Sequence, residues 1–295
     1  MIAGKVQSVL SSRFGDQMVR MNARAVVLAS AAALAMPLAA CNRPAGFPAR
    51  QAQAGAEASD PGYKAAPQLT AVTRAADGAV SLSGRALPSS AVRMVSPAGA
   101  RVETRADGSG NWTAPIGPVS EPALYRLAEE TDGERVEAEG LVAVLPGVPT
   151  VALLRAGSGA EVIETSVKDP LRILALDYDV AGGAVVSGRA RAAAPVRVLV
   201  DGQPAMEGAA GPGGRFSLSL PKPLPPGRHR IQAQMTPAQT ARAQASPAMA
   251  EVEVTVTAPA PPKDAPYQAQ VETFGWRVDW TTPAGGAQTT LLPDG

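Results

Sequence analysis

Cysteine is nearly missing from this chain: Cys41 is the only one. No pair exists to brace the fold by a disulfide, so packing and strand pairing must hold it. Histidine is as scarce, with His229 alone. A zinc site takes three or four clustered ligands, and these two residues cannot supply them; no metal or other cofactor is expected. Aromatic residues make up 4% of the sequence, so the core must come from Val, Leu, Ile and Ala with a few large anchors. Lys and Arg number 27 against 26 Asp and Glu, which leaves no basic excess to displace counterions from a phosphate backbone and argues against nucleic acid. Also lacking are a phosphate-binding loop of the GxxxxGK[ST] kind, a serine nucleophile elbow and any helical apolar period with caps beyond Cys41. An enzyme is not expected.

What is present begins near the N-terminus. Arg20 and Arg24 precede an apolar stretch from Ala25 to Ala40, followed by Cys41. A basic start, an apolar middle and small residues before a cut site are the order of a secretory signal. The stretch is shorter than the roughly 20 residues a spanning helix needs, and it carries Pro37 near its end. Residues 1–17 contribute nothing to this leader, which fits translation starting at Met18 or Met21. The motif Leu38-Ala39-Ala40-Cys41 resembles the lipobox of bacterial lipoproteins. That resemblance implies cleavage after Ala40, a diacylglyceryl group on Cys41, and a membrane held through the lipid. With Asn42 rather than Asp after the cysteine, it implies the outer membrane, facing the periplasm. Residues 41–67 are rich in Pro, Ala and Gly without apolar periodicity and read as a flexible tether.

Beyond the tether the chain repeats itself at an offset of 104 residues. Ser83-Gly84-Arg85-Ala86 returns as Ser187-Gly188-Arg189-Ala190, Val92-Arg93-Met94-Val95 as Val196-Arg197-Val198-Leu199, and Gly110-Asn111-Trp112 as Gly214-Arg215-Phe216. The same shift carries Leu69–Val72 onto Ile173–Leu176 and Tyr125-Arg126-Leu127 onto His229-Arg230-Ile231. Each copy reads as short alternating strands between turn signals, Asp77-Gly78 and Asp201-Gly202 among them. The stretches Asp107–Asn111 and Gly211–Gly214 are expected to close hairpins. The fold class is therefore all-β: two tandem sandwiches, 68–167 and 168–257, then a proline-rich joint and a C-terminal β-hairpin over 258–295. Between the copies, Val151–Arg155 and Ala160–Glu164 predict a further hairpin, as a linker or as extra strands on one sandwich.

The pattern Ser-Gly-Arg-Ala, Val-Arg-Val, Asp-Gly-x-Pro, Gly-Arg-Phe and Leu-Pro-Pro-Gly-Arg-His-Arg-Ile resembles bacterial immunoglobulin-like domains, especially those accompanying LysM modules in proteobacterial envelope proteins. Copy two matches closely and copy one less so. No LysM module follows copy two, so the peptidoglycan binding that module would supply is not implied.

Few residues stand out as candidate sites. His229 reads as a strand residue and Asp107–Asn111 as a plain turn. Asp177-Tyr178-Asp179 reads as solvent-facing carboxylates flanking a packed tyrosine, with an interdomain calcium site as the sharper alternative. Phe274, Trp276 and Trp280 share one face of a predicted strand. They either stack on sugar rings as an exposed row or cover an open edge or face of copy two. The sequence thus points to a non-enzymatic envelope lipoprotein acting as a structural or protein-interaction module. The alternative is a peptidoglycan or glycan binder using the aromatic hairpin.

Overall fold

The computed structural model describes residues 64–147, 151–163, 169–235, 248–261 and 263–294. The leader, the motif Leu38-Ala39-Ala40, Cys41 and the tether through residue 63 lie outside the described residues. Everything described belongs to one compact unit, Glu57–Gly295, and is built of antiparallel strands joined by turns.

In copy one, β1 (Gln68–Arg74), β2 (Ala79–Arg85) and β5 (Asn111–Pro118) form a three-stranded sheet in the order β1-β2-β5. Facing it is a larger sheet of β3 (Ala91–Val95), β4 (Arg101–Arg105), β6 (Ala123–Thr131), β7 (Glu134–Glu137), β8 (Leu141–Val144), β9 (Val151–Leu154) and β10 (Glu161–Val162). Its order is β10-β9-β8-β6-β3-β4, with β7 also on β6. Strands β9 and β10, from the segment between the repeats, extend this sheet through β8. Val80 and Leu82, Val92 and Met94, and Trp112 and Ala114 point inward from alternating strands and share one core.

Copy two pairs β13 (Pro195–Val200), β14 (Gln203–Ala209), β16 (Gly227–Met235) and β17 (Ala248–Val256) in the order β14-β13-β16-β17. Opposite lie β11 (Arg172–Asp179), β12 (Ala184–Arg189) and β15 (Arg215–Ser219), with three C-terminal strands added. These are β18 (Tyr267–Glu272), β19 (Gly275–Thr281) and β20 (Ala287–Pro293), giving the order β15-β12-β11-β20-β19-β18. The predicted C-terminal hairpin is β19 and β20, and β18 escaped prediction. Strand β20 pairs with β11 from Leu176↔Leu291 to Asp179↔Gln288, so the hairpin closes an open edge of copy two's own sheet.

The duplication is visible in the pairing itself. In β1 and β2, Leu69 faces Gly84 and Ala71 faces Ser83, with a bulge between. In β11 and β12, Ile173 faces Gly188 and Ala175 faces Ser187, with the bulge at the same place. Both glycines lie under an aromatic ring. A Cβ on Gly84 would stand 1.9 Å from the Gln68 carbonyl oxygen and 2.5 Å from the Trp112 ring, and one on Gly188 2.1 Å from the Arg172 carbonyl oxygen and 2.5 Å from the Phe216 ring. The recurring Ser-Gly-Arg-Ala is therefore a close-approach motif, in which a strand backbone and a ring occupy the volume of a side chain.

Two expectations need correction. The turns at Asp107–Asn111 and Gly211–Gly214 do not close hairpins within one sheet. The strands flanking each turn belong to different sheets, so these turns carry the chain across the sandwich. Also, the fixed offset fails in the strand pair β6 and β16. Met94 faces Leu127, whereas Val198 faces Ala233, a slip of two residues. By register Tyr125 corresponds to Ile231, not to His229. An even slip keeps every side chain on its face, which is why alternation in the sequence does not reveal it.

Substituting Gly84→Ala or Gly188→Ala should each cost about 2 kcal/mol or more by overpacking against backbone. In a unit of this size that is a drop in melting temperature of roughly 5 °C, readable by calorimetry. An unchanged midpoint would show that strand and ring can separate freely.

Candidate functional site

The most densely built polar region lies where the two sandwiches meet. In the large sheet of copy one and the large sheet of copy two, the central strands are buried on both faces. Their outer faces pack together through Leu124, Leu141, Ala143, Ala152 and Leu154 on one side and Leu174, Ala175, Trp276, Val278, Trp280 and Leu292 on the other. Strand β11 shows the cause in its sequence. Ile173, Leu176 and Tyr178 enter the core of copy two, while Leu174 and Ala175 enter the seam. A strand buried on both faces reads as a continuous apolar run rather than an alternation.

Within this seam Asp177 is 2% exposed, which corrects its expected place on the surface. Its carboxylate accepts from the Thr290 hydroxyl at 2.6 Å, the Ala160 backbone N–H at 2.7 Å and the Gln288 amide at 3.3 Å. Ala160 belongs to the turn between β9 and β10, so the second bond crosses the seam. Gln288 extends the crossing by donating to the Arg155 carbonyl and accepting from the Gly157 N–H. Burial pushes the Asp177 carboxyl up to about 6, against the three donors, which favour its ionised form. The turn fits because residue 159 is glycine: a Cβ there would stand 2.3 Å from the Ser187 hydroxyl.

Beside this latch is a cleft of about 150 Å³ lined by Arg155, Glu161, Ser187, Arg215 and Ser217. Glu161 pairs with both Arg155 and Arg215, and the Ser217 hydroxyl donates to the Ser158 carbonyl at 2.7 Å. Burial, and then the nearby Arg155 charge, lower the Arg215 guanidinium from its ordinary value. These contacts tie the turn of copy one to the sheet of copy two.

The predicted aromatic row divides. Trp276 and Trp280 both point into the seam, at 8% and 0% exposure, and their indole N–H groups donate to the Pro146 carbonyl and the Thr290 hydroxyl. Phe274 instead joins the core of copy two, because Gly275 at φ +135° breaks the strand alternation between them. An exposed row able to stack on sugars is therefore corrected to buried packing. On the opposite face of β19, Arg277 and Asp279 form a buried bidentate pair with both N···O distances 2.8 Å. Arg277 also donates to the Tyr178 hydroxyl and the Ala258 carbonyl. Burial pulls its guanidinium down, but bonding to Asp279 outweighs this and the net shift is upward. Nothing in the sequence pattern singled out this pair.

His229 is engaged at both ring nitrogens, 2.8 Å from an Asp201 carboxylate oxygen and 2.8 Å from the Pro225 carbonyl oxygen. Burial lowers its pKa, yet the Asp201 and Pro225 acceptors outweigh burial and raise it overall. It is a strand residue, in β16, and through Asp201 it holds the β13–β14 turn. Asp107 serves its own loop, accepting from the Ser109 and Asn111 backbone N–H groups; these bonds, that to Asn111 foremost, hold its carboxyl below the ordinary range. Among the described residues, no three His, Cys, Asp or Glu side chains are grouped to hold a metal ion.

No family model matches the chain, and no curated protein does. Among solved structures, the BSP domain of a biofilm-associated protein is similar at 14% identity over 66% of this chain, with a TM-score of 0.24. The chain spans 30% of that structure's length. The central fibronectin-III array of RIM-binding protein is similar at 13% identity over 79% of this chain and 90% of that one, TM-score 0.24. A 1.5-MDa bacterial ice-binding adhesin follows at 12%, over 77% and 86%, TM-score 0.21. At these values the likenesses say nothing of ligand or partner. The chain itself is an all-β protein of several discrete antiparallel sheets, consistent with tandem sandwiches.

Two measurements test the seam. The folded pKa of Asp177 lies above the unfolded value near 3.8, so its contribution is fully present below about pH 4 and is lost as pH rises through about 6. Against an Asp177→Asn variant, the wild type should gain up to about 3 kcal/mol of relative stability between pH 7 and pH 4. Parallel pH profiles would show that Asp177 is solvated. Trp280→Ala should cost about 3–5 kcal/mol, seen as a large fall in the urea midpoint; a small change would mean that the ring is dispensable to packing.

Proposed function

We propose that the chain is a non-enzymatic lipoprotein of the bacterial cell envelope, in which two Ig-like sandwiches act together as a rigid structural or protein-interaction module. The observation that carries this reading is the seam. Tandem domains joined only by a linker move independently by default, whereas here an apolar face with two tryptophans and a crossing carboxylate latch locks two sandwiches together. Such an arrangement sets the spacing of surfaces on the two copies and does no chemistry. His229, the one histidine that sequence inspection would weigh for catalysis, is committed to Asp201 and Pro225. The lipid on Cys41 would hold this unit at a membrane, the outer one by the residue that follows.

The full chain, expressed in a bacterium fed an alkyne fatty acid, should take up the label and fractionate with membranes. Cys41→Ala should lose both properties. In vivo crosslinking of the wild type should then capture envelope proteins, while purified sacculi should fail to sediment it. An unlabelled wild type overturns the lipoprotein reading. Sedimentation with sacculi, without protein crosslinks, overturns the interaction reading in favour of a glycan binder.

A further inference from the structure

The duplication supplies an internal comparison for every strand, and one pair differs sharply. Strand β11 of copy two is flanked by β12 on one edge and β20 on the other. Its counterpart β1 in copy one has β2 on one edge and, among the described residues, no strand on the other. The surroundings differ accordingly. Leu174, Ala175, Asp177 and Tyr178 are buried in β11, while Thr70, Ala71, Thr73 and Arg74 at the same places in β1 are exposed. Both strands carry the bulge near their start, and in copy two the added strand pairs only with the half beyond it, Leu176–Asp179.

The direction of the free backbone groups follows from the hairpin. The Ala75 N–H donates to the Ala79 carbonyl across the turn. Antiparallel strands alternate the edge to which successive residues turn their N–H and C=O groups. Thr73 therefore faces β2, and Val72 and Arg74 face the open edge. In copy two, Asp179 donates to Gly183 in the same manner, and Leu176 and Tyr178 meet Leu291 and Thr289 of β20. An unpaired edge of this kind is a template for strand addition.

We propose that the β1 edge from Val72 to Arg74 is a docking site for an extended segment of a partner protein, which adds antiparallel to β1 as β20 adds to β11. The sequence of β20 describes the partner: a short uncharged strand with Leu placed opposite Val72, as Leu291 is opposite Leu176. Where Tyr178 stands in copy two, copy one has the exposed Arg74. A partner carboxylate in the place of Thr289 therefore suits this edge better than threonine does. The proposal deepens the interaction-module reading by naming a surface and a partner chemistry, yet its test needs neither the lipid nor the membrane.

The probe is a fluorescein-labelled peptide with the sequence of residues 286–294, titrated into the full chain in detergent and followed by anisotropy. Saturable 1:1 binding is expected, tighter for a peptide carrying Thr289→Glu and absent for a scrambled one. Arg74→Pro removes only an N–H on the free edge and should weaken binding by at least about tenfold, with Arg74→Ala separating loss of charge from loss of the donor. Hydrogen exchange guards against a folding artefact: the Val72 and Arg74 amides should exchange quickly in the free wild type and become protected with peptide. Absence of saturable binding, binding indifferent to Arg74→Pro, or amides already protected in the free chain would each overturn the proposal. None of these results bears on envelope crosslinking, so failure here and failure of the wider reading are told apart.

Discussion

The structure depends on one contact, the packing of two β-sheets back to back. Each is already the wall of a sandwich, so its central strands are buried on both faces, and β8 and β9 accordingly carry unbroken apolar runs while the polar residues of β11 and β20 must find partners inside. The seam also sets the fate of most polar groups of interest. Asp177 is drawn inside because its strand is central, and three donors gather around it because a buried carboxylate without them would be far costlier. Gln288 and Thr290 fill the remaining positions, and Gly159 is required because the turn carrying Ala160 lies almost against Ser187.

The C-terminal strands make this seam possible. Strand β19 provides both tryptophans of the seam, and β20 provides two of the Asp177 donors. The same strands present Arg277 and Asp279 to the other side, where Tyr178 and the chain leaving β17 cover them. One hairpin thus completes the edge of copy two, walls its core and supplies the surface on which copy one rests. Copy one extends its other sheet instead, through β8, β9 and β10. From one repeated pattern the chain makes two unequal sandwiches, and the inequality gives them complementary faces.

Much of this was legible beforehand. Alternation in Val80–Leu82 and Phe216–Leu218, turn signals at Asp77-Gly78 and Asp201-Gly202, and the recurrence at 104 residues located most strands and the duplication. They could do so because inside-outside alternation and positive-φ turns are local properties. What escaped was relational. Local alternation could not distinguish a hairpin turn at Asp107 from a crossing between sheets, because both start and end in strands. It could not detect the two-residue slip of β16, since a slip by an even number changes no face. Nor could it separate Phe274 from Trp276, because one glycine conformation decides which core each ring enters.

The sequence alone determined that the domain is all-β and that it is duplicated; these follow from composition and from patterns within a few residues. Only the tertiary structure decided that the aromatic hairpin is interior, that Asp177 is buried at a joint, and that among the described residues β1 keeps an edge its twin has lost. The reason is physical. Burial on a strand's second face, or pairing at its second edge, is set by whichever distant segment arrives there, and a strand's own residues tolerate several such neighbours.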